Sequence, residues 1–286
     1  MSERDSIILP ASSPKNTQSK PSLSVNDTPL RRFLVLATLR LLNRILPRHG
    51  PVLMLSKKLC IKVGTLKQPA EAATMQFVAK HTSIPVPKVY CAFERKGYKY
   101  ILMERVQGHI LRDNWLERSA ESKEKILAQI KNMVDQMRRI PPPSGQGISN
   151  VVGGPLFDGR LSGGSYHGPF DTVQDFHRHL REGYEGGNED APDADRLVEW
   201  HNQYCGKPIF THGDLSTMNI IVRGDEVVGI IDWETAGWWP EYWEYTSAWH
   251  VNPYNEFWRE EVDKFLEPKV EELDMERVRR KFFGDF

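Results

Sequence analysis

The chain has no excess charge of either sign. Its 286 residues include 38 Lys and Arg against 38 Asp and Glu. Nothing in that balance draws it to a phosphate backbone, and no nucleic-acid partner is expected. Cysteine is scarce: Cys60, Cys91 and Cys205 are far apart and form no C-x-x-C pair. This excludes a disulfide framework or a cysteine zinc site and reads as buried thiols in a reducing compartment, the cytoplasm. No run reaches the ~18 uninterrupted apolar residues of a membrane-spanning helix. The stretch Phe33–Leu39 is short, and Arg40 breaks it.

What is present is a soluble-type composition in which 27% of residues are charged and 40% hydrophobic. A chain of this length buries roughly three quarters of its unfolded surface and needs no staple. The charge is uneven. Nine Lys/Arg and no acid lie from Arg31 to Lys67, seven acids and one Arg from Glu182 to Glu199, and eight acids and three bases from Glu256 to Asp274. A basic front and an acidic back suit a protein whose front holds an anion and whose back receives a cation.

Residues 1–28, rich in Ser, Pro, Lys, Asn and Thr, read as a disordered tail. Leu30–Leu46 reads as a basic helix that packs on the domain, an anionic membrane surface being the alternative contact. Leu59–Val63 reads as a strand, and Pro69 suits the first turn of a helix through Ala79. Val89–Phe93 and Tyr98–Met103 read as strands around a turn at Arg95–Gly97. A helix from Ser119 to about Ile140 buries Ile126, Ile130, Met133, Val134 and Met137 and stops at Pro141. Residues 145–168 hold eight glycines; they read as a long loop, either a lid or a surface insertion. A further helix is expected over Thr172–Gly183. Asn219–Val222 and Val227–Ile231 read as a β-hairpin.

Two segments carry chemistry, Thr211-His-Gly-Asp-Leu-Ser-Thr-Met-Asn219 and Ile230-Ile-Asp-Trp-Glu234. Folding the hairpin back sets Asn219 beside Asp232, with Asp214 near both. Phosphoryl transfer needs a carboxylate for the proton of the attacking hydroxyl and oxygen ligands for Mg²⁺ on the ATP phosphates. It also needs a lysine on those phosphates and an acid that holds the lysine. The segment matches the kinase catalytic loop H-x-D-L-x-x-x-N, with Asp232 in the place of the D-F-G aspartate. Upstream, Lys62 sits inside the apolar strand Ile61-Lys-Val63, and Glu71 follows on the next helix, within reach of it.

With these residues in view, the chain resembles the aminoglycoside phosphotransferase family, related to choline kinases. The His-Gly-Asp-Leu…Asn-Ile-Ile-Val and Gly-Ile-Ile-Asp-Trp-Glu…Ala-Gly strings carry the likeness over 57–258. Ile84-Pro-Val-Pro87, Tyr100-Ile-Leu-Met-Glu-Arg105 and Trp239-Pro-Glu-Tyr-Trp-Glu-Tyr245 are similar to its fungal branch. The resemblance implies an α+β, bilobal protein-kinase-like fold. It has a small β-rich N-terminal lobe, residues 29–106, and a mostly helical C-terminal lobe, residues 107–286. It implies ATP and Mg²⁺ as cofactors. Lys62 would hold the phosphates and Glu71 would orient Lys62. Met103, Glu104 and Val106 would form the hinge that meets adenine. Asp214 would be the base, Asn219 and Asp232 the metal ligands, and His212 a brace for the loop.

Kinase-like folds place a Gly-rich loop before the lysine strand. Here Gly50–Lys58 has one glycine, so a shortened phosphate cradle is expected. This leaves a catalytically weak binding or regulatory module as the alternative function. Asp232 is followed within seven residues by Trp239-Pro-Glu241, too short for a peptide platform. The acceptor is therefore expected to be a small-molecule alcohol. The aromatics from Trp233 to Trp258 would form either core or a pocket for a cationic or ring-bearing acceptor. Glu241, Glu244, Glu256, Glu260 and Glu261 are the acids available to line such a pocket.

Overall fold

The structure is a computed structural model that describes residues 23–65, 70–250 and 253–284. Pro69 lies outside the described residues, as does most of the expected tail. The end of that tail is ordered, contrary to expectation. Val25 is buried and exchanges backbone hydrogen bonds with Ala92, at 2.9 and 2.8 Å. A β-branched side chain that finds an apolar seat at a sheet edge overrides the polar composition around it.

Thr28 caps α1 (Pro29–Leu42): its hydroxyl accepts the Arg31 amide at 3.3 Å, and Pro29 pre-sets the first turn. There follow β1 (Arg48–His49), β2 (Val52–Met54), β3 (Leu59–Thr65), α2 (Glu71–His81), β4 (Val89–Arg95) and β5 (Tyr98–Glu104). The five strands form one antiparallel sheet in the order β1-β2-β3-β5-β4. Lys96 and Gly97, both at positive φ, close the β4–β5 hairpin. The period-2 alternation of β3 divides its side chains between two faces. Ile61 packs with Val35 of α1, Cys91 and Phe93. Cys60 joins the main core on the other face, where Lys62 meets Glu71 of α2.

The second part is mostly helical. It holds β6 (His109–Ile110), α3 (Ala120–Arg138), β7 (Leu156–Phe157), β8 (Tyr166–His167), α4 (Val173–Leu180) and α5 (Pro192–Gln203). Then come β9 (Pro208–Thr211), β10 (Ile220–Arg223), β11 (Glu226–Ile230), β12 (Gly237–Pro240), α6 (Trp243–Trp249), α7 (Arg259–Phe265) and α8 (Val270–Phe283). Ile126, Leu127, Ile130, Val134 and Met137 form the buried stripe of α3. The main core runs without a break from beneath the first sheet, through α3 and the β10–β11 hairpin, to Trp258. Among the described residues no helix is long and apolar enough to cross a membrane.

Here one expectation changes and one of two alternatives is taken. Residues 145–168 are neither lid nor plain surface insertion. Ile148, Leu156, Asp158 and Leu161 are buried, β7 pairs with β8, and Ser149 bridges to Trp238. The aromatics are core: Trp233, Trp238, Trp239, Tyr242, Trp243, Tyr245 and Trp258 are all buried, and Trp239 stacks on Trp243 at 4.8 Å. None of these seven lines the cavity beneath the first sheet, and burying such large apolar rings stabilises this half of the molecule.

Candidate active site

A cavity of about 550 Å³ opens where the sheet meets the second part. That is ample for a nucleotide-sized ligand. Val52, Met54, Cys60 and Met75 supply apolar walls, Met103–Val106 one side, and Lys62, Glu71 and Asp232 the polar end. The expected hinge residues Met103, Glu104 and Val106 thus do line the space. The Glu104 amide is spent inside the fold, however, donating to the Lys88 carbonyl at 2.9 Å. The β1–β2 turn beside the cavity consists of Gly50 and Pro51 alone, joining His49 to its partner Val52. Gly50 takes the left-handed conformation (φ 54°) and Pro51 has no amide hydrogen. A backbone cradle of several N–H groups is therefore lacking at this turn.

At the polar end Lys62 is the hub. Its Nζ lies 2.9 Å from Glu71 Oε1, 2.7 Å from Asp232 Oδ1 and 3.4 Å from Glu234 Oε2. Burial alone would push the Lys62 ammonium down. The attraction of Glu71, Asp232 and Glu234 outweighs burial, so the net shift is upward and Lys62 stays charged. Burial pushes the Glu234 carboxyl up to about 7; repulsion from Asp232 and Glu71 adds to this, and Lys62 opposes it. Glu234 was not among the residues singled out in the sequence, although it stands two positions after Asp232.

The β10–β11 hairpin delivers Asn219 and Asp232 as the sequence suggests. Ile220 pairs with Ile230, and the Ile231 amide donates to the Asn219 carbonyl at 2.9 Å. Asp232 then turns into the left-handed region (φ 64°, ψ 56°). Asn219 donates its Nδ2 hydrogens to the Asp214 carbonyl oxygen and Oδ2, both at 2.8 Å. These bonds use the amide nitrogen and leave the Asn219 amide oxygen outside them. Asp214 is half-exposed.

The loop that carries Asp214 is held from below. His212 is fully buried; its Nδ1 accepts the Asp214 amide at 3.2 Å, which puts the ring hydrogen on Nε2, donated to the Ile231 carbonyl at 3.0 Å. His212 is thus a brace between the loop and the strand end before Asp232. Beneath it, Glu244 of α6 accepts the amides of His212 and Gly213 at 2.6 and 3.0 Å. Glu244, one of the acids available for a pocket in the sequence, is instead buried beneath this loop. Burial raises its carboxyl above the ordinary range, with His212 and the two amides opposing that shift. Gly213 has φ 80°, and a Cβ there would lie 3.1 Å from the Thr235 carbonyl oxygen.

A second arm reaches Asp214 from residues 145–168. Buried Asp158 accepts from Arg160 Nε and Nη2 at 2.8 and 2.6 Å. Arg160 also donates to the Gly213 carbonyl at 2.5 Å and sets Nη1 3.5 Å from Asp214 Oδ1. Burial would raise the Asp158 carboxyl, but the Arg160 guanidinium outweighs it and holds the group below its usual range. Sequence reasoning missed this pair; the Asp-x-Arg spacing inside a glycine-rich stretch was its only signal.

Residues 65–280 match the phosphotransferase enzyme family (APH). The chain belongs to that family. Its fold is the bilobal kinase-like one of aminoglycoside phosphotransferase APH(4)-Ia, with a TM-score of 0.57 over 87% of each chain at 16% identity. A thermostable mutant of that enzyme, in ternary complex with ADP and hygromycin B, superposes with a TM-score of 0.57 at 14% identity, over 84% of this chain and 86% of the other. ADP-bound APH(2'')-Ib gives 0.54 at 14% identity, over 85% and 84%. A subtelomeric hrmA-associated cluster protein of Aspergillus fumigatus is 37% identical over 68 residues, which cover 22% of this chain and 13% of that protein. The present chain is thus a phosphotransferase-family protein.

Proposed function

We propose that this protein moves the γ-phosphoryl group of ATP to a hydroxyl of a small molecule, with Mg²⁺ as companion cation. The observation that supports this most is the meeting of Lys62 with Glu71 and Asp232 at the end of the cavity. Lysine and carboxylates separated by up to 170 residues converge where nucleotide phosphates would lie.

In this reading Lys62 holds the phosphates and Glu71 orients it from the first turn of α2. Met103, Glu104 and Val106 face the base. Asp232 and the Asn219 amide oxygen fit a hard cation in donor type, and carboxylate oxygens of Glu71, Asp232 and Glu234 lie within 4.8 Å of one another. Mg²⁺, when bound, neutralises charge on the phosphate oxygens. Asp214 takes the proton of the acceptor hydroxyl as that oxygen bonds to phosphorus and the bond to the ADP oxygen breaks. Asn219, His212 and Glu244 keep Asp214 in place meanwhile.

The acceptor class is an amino-alcohol, an aminoglycoside-like sugar or a secondary metabolite. One observation favours a second reading, a weak or silent kinase-like binding module: the two-residue Gly50–Pro51 turn, with few amides to offer a phosphate. The test is Mg²⁺-dependent ATP turnover across amino-alcohols, aminoglycosides and polyols, with Asp214→Ala as control. Turnover that the substitution abolishes supports the kinase. No turnover, together with no thermal stabilisation by Mg·ATP, supports the module.

A further inference from the structure

Helix α1 is apolar on two opposite faces, and the fold uses one. Val35 is buried, and Leu36 and Leu39 pack beside it against Ile61, Cys91 and Phe93. On the other face Leu30, Phe33, Leu34 and Leu41 are 67, 67, 53 and 70% exposed, and Ile45 in the following turn is 75% exposed. Leu30, Phe33, Leu34, Ala37 and Leu41 recur at steps of three and four, which sets them on one stripe of the helix. A lone exposed leucine needs no explanation, whereas a continuous stripe does.

The flanks of that stripe are basic. Arg31 borders one side, Arg40 and Arg44 the other, all exposed. No carboxylate occurs from Arg31 to Lys67, against nine Lys/Arg. Asp27, just before the helix, pairs with Arg32, whose guanidinium lies 5.8 Å from the Phe93 ring on the packed side. Apolar residues on one face with arginines at both edges match a helix lying in the plane of a membrane interface. The rings and leucines enter the acyl boundary, and the guanidinium groups meet lipid phosphates.

We propose that the outer face of α1 docks the protein on an anionic lipid surface. A second copy of the chain fits this face poorly, because it would set arginines against arginines. Residues 1–22 fit it no better, with Glu3 and Asp5 against Arg4, Lys15 and Lys20 and so no acidic excess to match the basic edges. Ile61 faces α1 while Lys62 faces the cavity, so docking through α1 leaves the cavity free.

The test is co-sedimentation of the full chain with vesicles of phosphatidylcholine alone and of a phosphatidylcholine–phosphatidylserine mixture, at low and high salt. The wild type should bind the mixed vesicles at low salt and lose binding at high salt. Leu34→Glu with Leu41→Glu should cut partitioning by about tenfold or more, since two exposed leucines leave the acyl boundary. Arg40→Gln with Arg44→Gln should weaken binding and flatten its salt dependence. All four side chains are exposed, so thermal unfolding of both variants should match the wild type. No binding to mixed vesicles, or equal binding by the Leu34→Glu/Leu41→Glu variant, overturns the proposal. So does a dimer seen by light scattering that Leu41→Glu dissolves, since it would assign the face to a second copy. None of these readouts depends on phosphotransfer.

Discussion

The Glu244 carboxylate accepts the backbone amides of His212 and Gly213 at 2.6 and 3.0 Å, deep beneath the loop that carries Asp214. One buried acid thus ties two consecutive donors that no strand or helix satisfies. Glu244→Gln keeps the shape but replaces one acceptor oxygen with a donor, so one amide loses its partner. Leaving such a buried donor unmet costs about 1–3 kcal/mol. Thermal unfolding should show that loss, and turnover should fall with it as the loop loosens. An unchanged melting temperature with unchanged turnover would remove Glu244 from this role.

Asp214→Ala separates chemistry from folding. The side chain is half-exposed, so stability should stay nearly level. Loss of a general base is worth about 10²–10⁴-fold in turnover, while Mg·ATP binding should persist. Calorimetric titration beside a steady-state assay checks both; retained turnover would take the base role from Asp214.

Lys62→Ala leaves Glu71, Asp232 and Glu234 facing one another without a cation. Breaking a buried pair costs about 3–5 kcal/mol. The loss should be greatest at alkaline pH and shrink in acid, where the stranded carboxyls take up protons. Melting curves across pH check this, and nucleotide binding should disappear alongside.

Glu234 makes a pH prediction with a definite sign. Its ordinary value of 4.5 rises to about 7 in the fold. Between those values the native state keeps a proton that the unfolded chain releases, so its contribution to stability is full below 4.5 and is lost as pH rises to 7. The span amounts to about 3 kcal/mol. Glu234→Gln removes the titration. The variant should therefore gain on the wild type as pH rises from 5 to 8 in denaturant melts; a constant difference would argue against the shift.

Arg160 stands 3.5 Å from Asp214 and donates to the Gly213 carbonyl at 2.5 Å. Arg160→Gln leaves buried Asp158 without its cation, so melting temperature and turnover should both fall, and Arg160→Lys, which keeps the charge but not the two-pronged contact, should fall less. Equal melting temperatures and turnover for all three proteins would remove Arg160 from this role.

The hairpin, the strand carrying Lys62 and the pairing of Lys62 with Glu71 were legible because each is local or follows from a short periodic pattern. Arg160 and Glu244 were not, for different reasons. Arg160 comes from a glycine-rich stretch with no hydrophobic period, and it is held beside Asp214 by buried Asp158 and the Gly213 carbonyl. Glu244 did carry a signal: a carboxylate between Trp243 and Tyr245 has to be buried and therefore partnered. The aromatic string left core and pocket both open in the sequence, and the structure takes the core. Val25 was lost in a polar context, since one bridge to Ala92 leaves no pattern in sequence.

Asp232 sits at φ 64°, where a side chain other than glycine costs about 1–3 kcal/mol. Asp232→Gly would ease that backbone, at the loss of the 2.7 Å pair with Lys62, and leave Lys62 with Glu71 and Glu234 as partners. Any screen for heat resistance that enriched this substitution would strip the cavity of a group proposed to hold the cation, so durability and turnover would pull this one position in opposite directions.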